Sequence, residues 1–303
     1  MGDLAVVVLA HVDAAHVRRL VGALGDLPVF LHCDAKTDLS EQERMRLAGR
    51  VTMLPRLDAR PASWSLVRAE LAGLQAAVRD TTAEHVALLS GTDYPLLSVD
   101  RLLAALDPWR GHSYLYNRTL PFAQWSGGGY GRFRHRFLVT NDNLVMVRGR
   151  PLRSPLRRRL PEGLQLRASS QWKVYSREHA QLLLRLVEDR PDLVRFWRTT
   201  LVPEESFAAS MLASPSLAGS VAVQPCLANP WFYRFPPGGP HPRWLGIDDF
   251  DDLARASRAP SMEPSEAFAV ADGPVREHGK LFARKFRSSD PEVLDRIDAE
   301  LRA

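Results

Sequence analysis

Cysteine is nearly absent: the 303 residues hold only Cys33 and Cys226. Two thiols cannot make a disulfide framework, and neither lies in zinc-ligand spacing, so both are expected to be buried free thiols. Long apolar runs are missing as well. The longest is Leu4–Ala10, far below the ~20 residues of a membrane span. The N-terminus carries Asp3 where a signal peptide needs basic residues, and Met1-Gly2 lacks the Ser/Thr of a myristoylation site. A cytoplasmic location is expected. Lysine is scarce: four of the 40 basic residues (Lys36, Lys173, Lys280, Lys285). No GxGxxG or P-loop spacing occurs, and the basic residues form no recognisable nucleic-acid module, so no nucleic-acid partner is expected. What remains is ordinary for a globular chain: 45% hydrophobic, 25% charged and a net charge of +5.

The apolar residues are ordered as strand and helix in alternation. Leu4–Ala10 has the continuous apolar character of a strand buried on both faces. A helix over 13–25, capped by Asp13, follows, then a strand at Val29–His32. A long helix is predicted over Trp64–Val78, a strand over Val86–Leu89 and a helix over Val99–Leu106. Crossovers of this length join parallel strands. The first ~107 residues therefore form an α/β half whose ligand belongs at the carboxyl ends of the strands. Asp34 and Asp93 both follow such strands.

Residues 108–165 differ in character, with Trp125-Ser126-Gly127-Gly128-Gly129-Tyr130-Gly131 as a flexible aromatic loop, then Arg132, Arg134, His135 and Arg136, and then a basic stretch from Arg148 to Arg159. These residues suit a solvated face or one that guides an anionic or sugar substrate. Order returns with a strand at Gln171–Tyr175, a helix at Arg177–Val187 and its extension at Pro191–Trp197. A further helix opens at Pro203-Glu204-Glu205-Ser206-Phe207. Residues 229–243 are expected to be irregular. The last dozen are expected to form a surface helix behind Ser289-Asp290-Pro291-Glu292.

Four segments, in order, resemble one family. They are His32-Cys33-Asp34-Ala35-Lys36, Leu88-Leu89-Ser90-Gly91-Thr92-Asp93-Tyr94-Pro95-Leu96, Pro203-Glu204-Glu205-Ser206-Phe207 and Leu281-Phe282-Ala283-Arg284-Lys285-Phe286. His11, Trp64-Ser65-Leu66-Val67 and Ser170-Gln171-Trp172 add to them. The set resembles the core-2/I-branching N-acetylglucosaminyltransferase family, which includes the peptide O-xylosyltransferases. It covers roughly residues 5–106 and 168–287; each segment alone is a weak signal, the ordered four a specific one.

The resemblance implies a single GT-A type α/β glycosyltransferase domain over residues 1–303, with a mostly parallel central sheet. Residues 1–107 would be its nucleotide-binding half and 108–303 its donor/acceptor and catalytic half. It implies inverting, metal-independent transfer of a GlcNAc- or xylose-type sugar from a nucleotide-sugar donor, UDP-linked by family default. Transfer of this kind needs a base within ~3 Å of the acceptor hydroxyl and positive charge beside the leaving diphosphate. The family's base falls on Glu205, with Glu204 structural. Its diphosphate-binding lysine falls on Lys285. A second cation is expected at Arg243, with Arg234 or the adjacent Arg284 as alternatives. Asp34 and Lys36 match the nucleoside loop. His11 can contact the nucleotide or be structural, and Asp93 can touch the donor sugar or fix its own loop. Trp64, Trp172 and Trp231 can stack on sugar or be core. The one Asp-x-Asp, Asp249-Phe250-Asp251, has the look of a helix start, and no metal site is expected.

Animal members are membrane-anchored and disulfide-bonded, unlike this chain. That departure points to a bacterial member acting on a saccharide, a lipid-linked sugar or a small natural product. Two rival classes make different predictions. A non-catalytic polyanion binder using 148–159 would not feel Glu205→Gln, and a hydrolase or phosphotransferase would act without an acceptor sugar.

Overall fold

The computed structural model describes residues 3–37, 40, 47, 49–239, 241–269 and 279–303. In chain order the elements that build the site are β1 (Leu4–Ala10), α1 (Ala14–Ala23), β2 (Val29–Cys33), β3 (Thr52–Met53), α2 (Trp64–Asp80), β4 (His85–Ser90), β5 (Asp93–Pro95) and α3 (Val99–Leu106). They continue with β6 (Lys173–Ser176), α4 (Arg177–Asp189), α5 (Pro191–Arg198), α6 (Phe207–Ala213), β7 (Trp231–Phe232), α7 (Phe250–Arg258), β8 (Phe282–Arg284) and α8 (Pro291–Glu300).

Every residue of β1 is buried, and β1 lies at the centre of a five-stranded sheet in the order β6-β4-β1-β2-β3. β2 and β4 flank it in parallel, and β3 extends β2 in parallel. β6 closes the far edge antiparallel to β4. The fold is thus α/β with a mostly parallel central sheet. Strand pleating sends successive side chains to opposite faces, and β1 divides its residues accordingly. Leu4, Val6, Val8 and Ala10 enter a core shared with α1, α7 and α8. Ala5, Val7 and Leu9 enter a second core shared with α2, α4 and α6.

A smaller sheet, β7-β8-β5, stands at the carboxyl edge of the first. β8 runs antiparallel to β5 and parallel to β7. It revises one expectation. Residues 229–243 are not wholly irregular, because Trp231 and Phe232 pair with Phe282 and Ala283. The last helix lies at the surface as expected, with Val293, Leu294 and Ile297 buried beneath it, and Arg19 ties it to α1 through Asp295 and Asp298. Cys33 and Cys226 are buried thiols outside any disulfide, as expected.

Residues 135–157 form a stack of short antiparallel pairs that projects from the body. At its root, the expected flexible loop is instead a pair of tight turns over Ser126–Arg132. Gly129 takes φ 88°, and a side chain there would collide with the Trp125 ring at 2.6 Å. Glycine meets both demands without strain.

Candidate active site

The carboxyl ends of β1, β2 and β4 are drawn together by backbone bonds. Asp34 N–H donates to Ala10 O (2.8 Å) and Gly91 N–H to Leu9 O (2.9 Å). Gly91 is required by closeness: a Cβ there would sit 2.9 Å from Ala10 Cα. Phe286 N–H donates to Thr92 O (2.9 Å), which brings the Arg284-Lys285 pair onto the same edge. His11 records the result. Its surface is exposed, yet partial desolvation lowers its pKa, and the charges of Arg284, Asp34, Lys285 and Lys36 all reach it. Five expected site residues therefore share one locality.

Asp93 is not at the surface of that locality. It is fully buried, with Oδ2 accepting from Ser90 N–H and Trp231 Nε1–H, both at 3.0 Å. Burial pushes its pKa up, opposed by Arg284. Its contacts are those of a loop-fixing residue, and Arg284 Nη1 lies 3.4 Å from its Oδ1. The Arg284 guanidinium lies over the Trp172 ring, 3.8 Å from its centroid. Nε and Nη1 are buried without a hydrogen-bond partner. Buried donors of this kind are rare unless something meets them. Burial lowers the Arg284 pKa, opposed by Asp93. Lys285 is half-buried above Trp244 (5.2 Å), its pKa lowered by burial and by Arg284, and it makes no ion pair among the described residues.

The expected second cation, Arg243, is already occupied. Its guanidinium binds the Asp249 carboxylate at both ends, one contact at 2.8 Å and one at 2.5 Å. A bidentate pair uses the donors that would otherwise meet phosphate. Arg234 is likewise held by Asp252 at 2.9 Å. Of the expected alternatives for the second cation, Arg284 is the one that shares an edge with Lys285 and His11. Asp249 also accepts from Gly246 N–H at 3.0 Å, which makes it a helix-start residue, as its position suggests. Among the described residues no group of three or more His, Cys, Asp and Glu could hold a metal ion.

In the nucleoside loop, Asp34 is buried and accepts from Lys36 N–H at 2.8 Å. The Lys36 ammonium is shared among Asp34, Asp58 and Ala59 O. It fixes the loop and has no donor to spare for a diphosphate. Arg56, which nothing in the sequence singled out, clasps the same loop through the carbonyls of Asp34, Ala35 and Thr37 at 2.7–3.0 Å.

The acidic dipeptide divides its labour. Pro203–Glu205 is a 3₁₀ turn that sends Glu204 inward and Glu205 outward. Glu204 Oε1 accepts from Ala62 N–H at 2.7 Å, while Oε2 is buried without a partner. Burial, reinforced by the Glu205 charge, pushes the Glu204 pKa up to about 8. Glu205 keeps 36% of its side chain exposed, and its Oε2 accepts from Arg132 Nη1 at 2.7 Å. Arg132 is itself stacked on Trp125 at 3.4 Å. The sequence set Arg132 only in a cationic run, with no signal for its pairing with Glu205. Beneath the turn, Lys173 Nζ donates to Glu204 O (3.1 Å) and to both Glu70 oxygens (3.1 and 3.2 Å), with the Tyr175 hydroxyl on Glu70 as well. A contact path links the carboxylate to the cations. The Glu205 charge reaches Tyr233, Tyr233 packs on Trp172 at 5.7 Å, and Trp172 carries Arg284. Of the three tryptophans, Trp64 and Trp231 are buried in the core, leaving Trp172 at the site.

Glu204 gives a pH test. Its folded pKa stands above its unfolded value, so the folded state binds the extra proton between about 4.5 and about 8. Stability from this group is therefore lost as pH rises through that window, by up to ~1.4 kcal/mol per unit. Glu204→Gln should raise Tm relative to wild type at pH 8 and much less at pH 5. An equal Tm difference at both values would refute the assignment.

Cations and a carboxylate are gathered where parallel strands end, the edge at which sheets of this kind bind ligands. The chain belongs to the Core-2/I-branching enzyme family, whose model matches residues 27–252. The match takes in Asp34, Lys36, Asp93 and Glu205 and also spans 108–165, where motifs alone found nothing; His11 and the Arg284-Lys285 pair lie outside it. No curated protein matches the chain. Among solved structures it is similar to S. aureus TarS 1-349, at 15% identity over 58% of this chain and 48% of that one, with TM-score 0.28. A Leptospira borgpetersenii cytidylyltransferase shares 10% identity over 65% of this chain and 71% of that one (TM-score 0.27). HddC from Yersinia pseudotuberculosis shares 13% over 58% and 78% (TM-score 0.27).

Proposed function

We propose that this chain is an inverting glycosyltransferase of GT-A type that moves a sugar from a nucleoside-diphosphate donor to an acceptor hydroxyl without a divalent metal. Glu205 takes the hydroxyl proton as oxygen attacks the anomeric carbon, and the diphosphate leaves from the opposite face. Arg132 holds the Glu205 carboxylate in place. Arg284 and Lys285 stabilise the departing negative charge, with Asp93 fixing Arg284. His11 and the Asp34 loop, braced by Lys36 and Arg56, border the nucleoside.

The observation that carries this reading is the Arg284 guanidinium, laid over Trp172 next to Lys285, which makes no ion pair among the described residues. Fixed cations of that kind do the electrostatic work that a metal does in other transferases. The family's default donors, UDP-N-acetylglucosamine and UDP-xylose, are the ones to try first. A saccharide, a lipid-linked sugar or a small natural product is the acceptor class that fits.

The test is a thermal shift with UDP, TDP, GDP and ADP, each in excess EDTA. A ligand at 100 times its Kd stabilises by ~2.7 kcal/mol. One diphosphate should shift Tm selectively, and Lys285→Ala should abolish the shift. A shift seen only with manganese would overturn the metal-free reading.

A further inference from the structure

The projection from Arg134 to Leu160 takes no part in the chemistry above. It holds eight arginines and one acidic residue, Asp142, and that acid is buried between Arg68 (2.8 Å) and Arg198 (2.7 Å). Arg134, Arg136, Arg148, Arg150, Arg153, Arg157 and Arg159 are exposed. Apolar side chains stand among them. Nine large apolar side chains are exposed among the described residues, and six of them (Leu138, Met146, Val147, Leu152, Leu156 and Leu160) are here. Leu156, at 77%, is the most exposed of all.

The backbone holds them outward. Val139 pairs with Leu144, Met146 with Pro151 and Val147 with Arg150. Cross-bonds from Leu138 to Leu152 (2.8 Å), Val145 to Leu138 (2.9 Å) and Leu152 to Val145 (2.9 Å) lock the layers. Arg158 anchors the base through Phe133 O, Phe196 O and the hydroxyls of Thr199 and Thr200, at 2.6–2.9 Å. A groove of about 1060 Å³ runs between this projection and α5, with Arg136, Arg157, Arg159 and Arg195 on its walls.

We infer that this projection docks onto an anionic lipid bilayer, its aliphatic side chains entering the interface while the arginines and the arginine-walled groove receive headgroup phosphates. Clustered cations with interleaved apolar residues are what such a surface attracts, and exposed apolar groups concentrated in one place mark an interaction site. The composition selects lipid over nucleic acid. Binding to single strands relies on aromatic stacking, and the one aromatic hydrophobe here, Phe137, is buried. It also disfavours a second copy of the chain, because a self-complementary contact would oppose like charges. Among the described residues no helix is long and apolar enough to cross a membrane. The projection is rooted beside the Pro203–Glu205 turn through the bond from Leu201 N–H to Arg132 O (3.2 Å), which would face the catalytic carboxylate toward acceptors at the membrane. The inference does not rest on the transfer reading, since binding is read without substrate.

The experiment is co-sedimentation of the full chain with vesicles of mixed phosphatidylcholine and phosphatidylglycerol, against pure phosphatidylcholine. Binding is expected to the anionic vesicles alone. An arginine near an anionic surface contributes about fivefold to partitioning, so Arg150→Gln/Arg153→Gln/Arg157→Gln should weaken binding about a hundredfold. Met146→Ser/Leu156→Ser should weaken it about tenfold or more without lowering Tm, because both side chains are exposed. Two results would overturn the inference. One is no preference for anionic vesicles. The other is binding indifferent to the serine pair and matched on a single-stranded oligonucleotide, which would mark the patch as a general polyanion binder.

Discussion

Glu205→Gln is expected to cut turnover by ~10²–10⁴-fold while leaving nucleoside-diphosphate affinity unchanged. The amide keeps the volume and can still present an oxygen to Arg132 Nη1, 2.7 Å from Glu205 Oε2 in the wild type. Only the capacity to accept a proton at neutral pH is removed. An interaction made solely in the transition state affects kcat and kcat/KM alike. Both should therefore fall together, and calorimetric binding of the diphosphate should not move. A second readout comes from the neighbour. The Glu205 charge helps raise the Glu204 pKa, so Glu205→Gln should lower it, shifting the pH dependence of stability toward acid. Turnover within a few-fold of wild type would remove Glu205 from the mechanism.

The largest effect on stability is expected from Lys173→Met. Lys173 and Glu70 are almost fully buried, with 1% and 3% of their side chains exposed. Removing one member of a buried pair leaves the other charge without compensation, at a cost of about 3–5 kcal/mol. Here the stranded group is Glu70, and the Glu204 carbonyl loses its donor too. Urea unfolding should show a lower midpoint with m unchanged, the sign of altered stability rather than altered compactness. Glu70→Met in the same chain should recover most of the loss, because apolar replacement of both partners is near neutral. A loss under ~1 kcal/mol, or no recovery in the double variant, would show that the pair is not what supports the turn.

The strands of the parallel sheet were legible because their signal is local. Leu4–Ala10 is apolar throughout, and that is all a doubly covered strand requires. Helix α1 follows from Asp13, whose carboxylate accepts from His16 N–H at 3.0 Å. The family segments marked Glu205, Asp34, Lys285 and Arg284 for the same reason. The pairing of Arg243 with Asp249 was not legible, because it depends on how the chain folds back before the helix that Asp249 opens. The pairing of Arg132 with Glu205 and the clasp of Arg56 on the 34–37 loop were not legible either, because each joins residues far apart in the chain. The burial of Asp93 depends on Trp231 and Arg284, which no spacing rule could place against it.

β8 lies between β5 and β7 and carries Arg284 to Asp93 across 191 positions of chain, as 284 − 93 shows. During synthesis the sheet formed by β1, β2 and β4 can gather as soon as residue 90 has emerged. The Arg284-Lys285 pair cannot join it until the strand at 282–284 and the Phe286 bond to Thr92 arrive. Domains assemble from the N-terminus as the ribosome releases them. A nascent chain thus forms the parallel sheet well before Asp93 receives the cation that lies against it. Whatever binds at that cationic edge must wait for a strand made long after the sheet it joins.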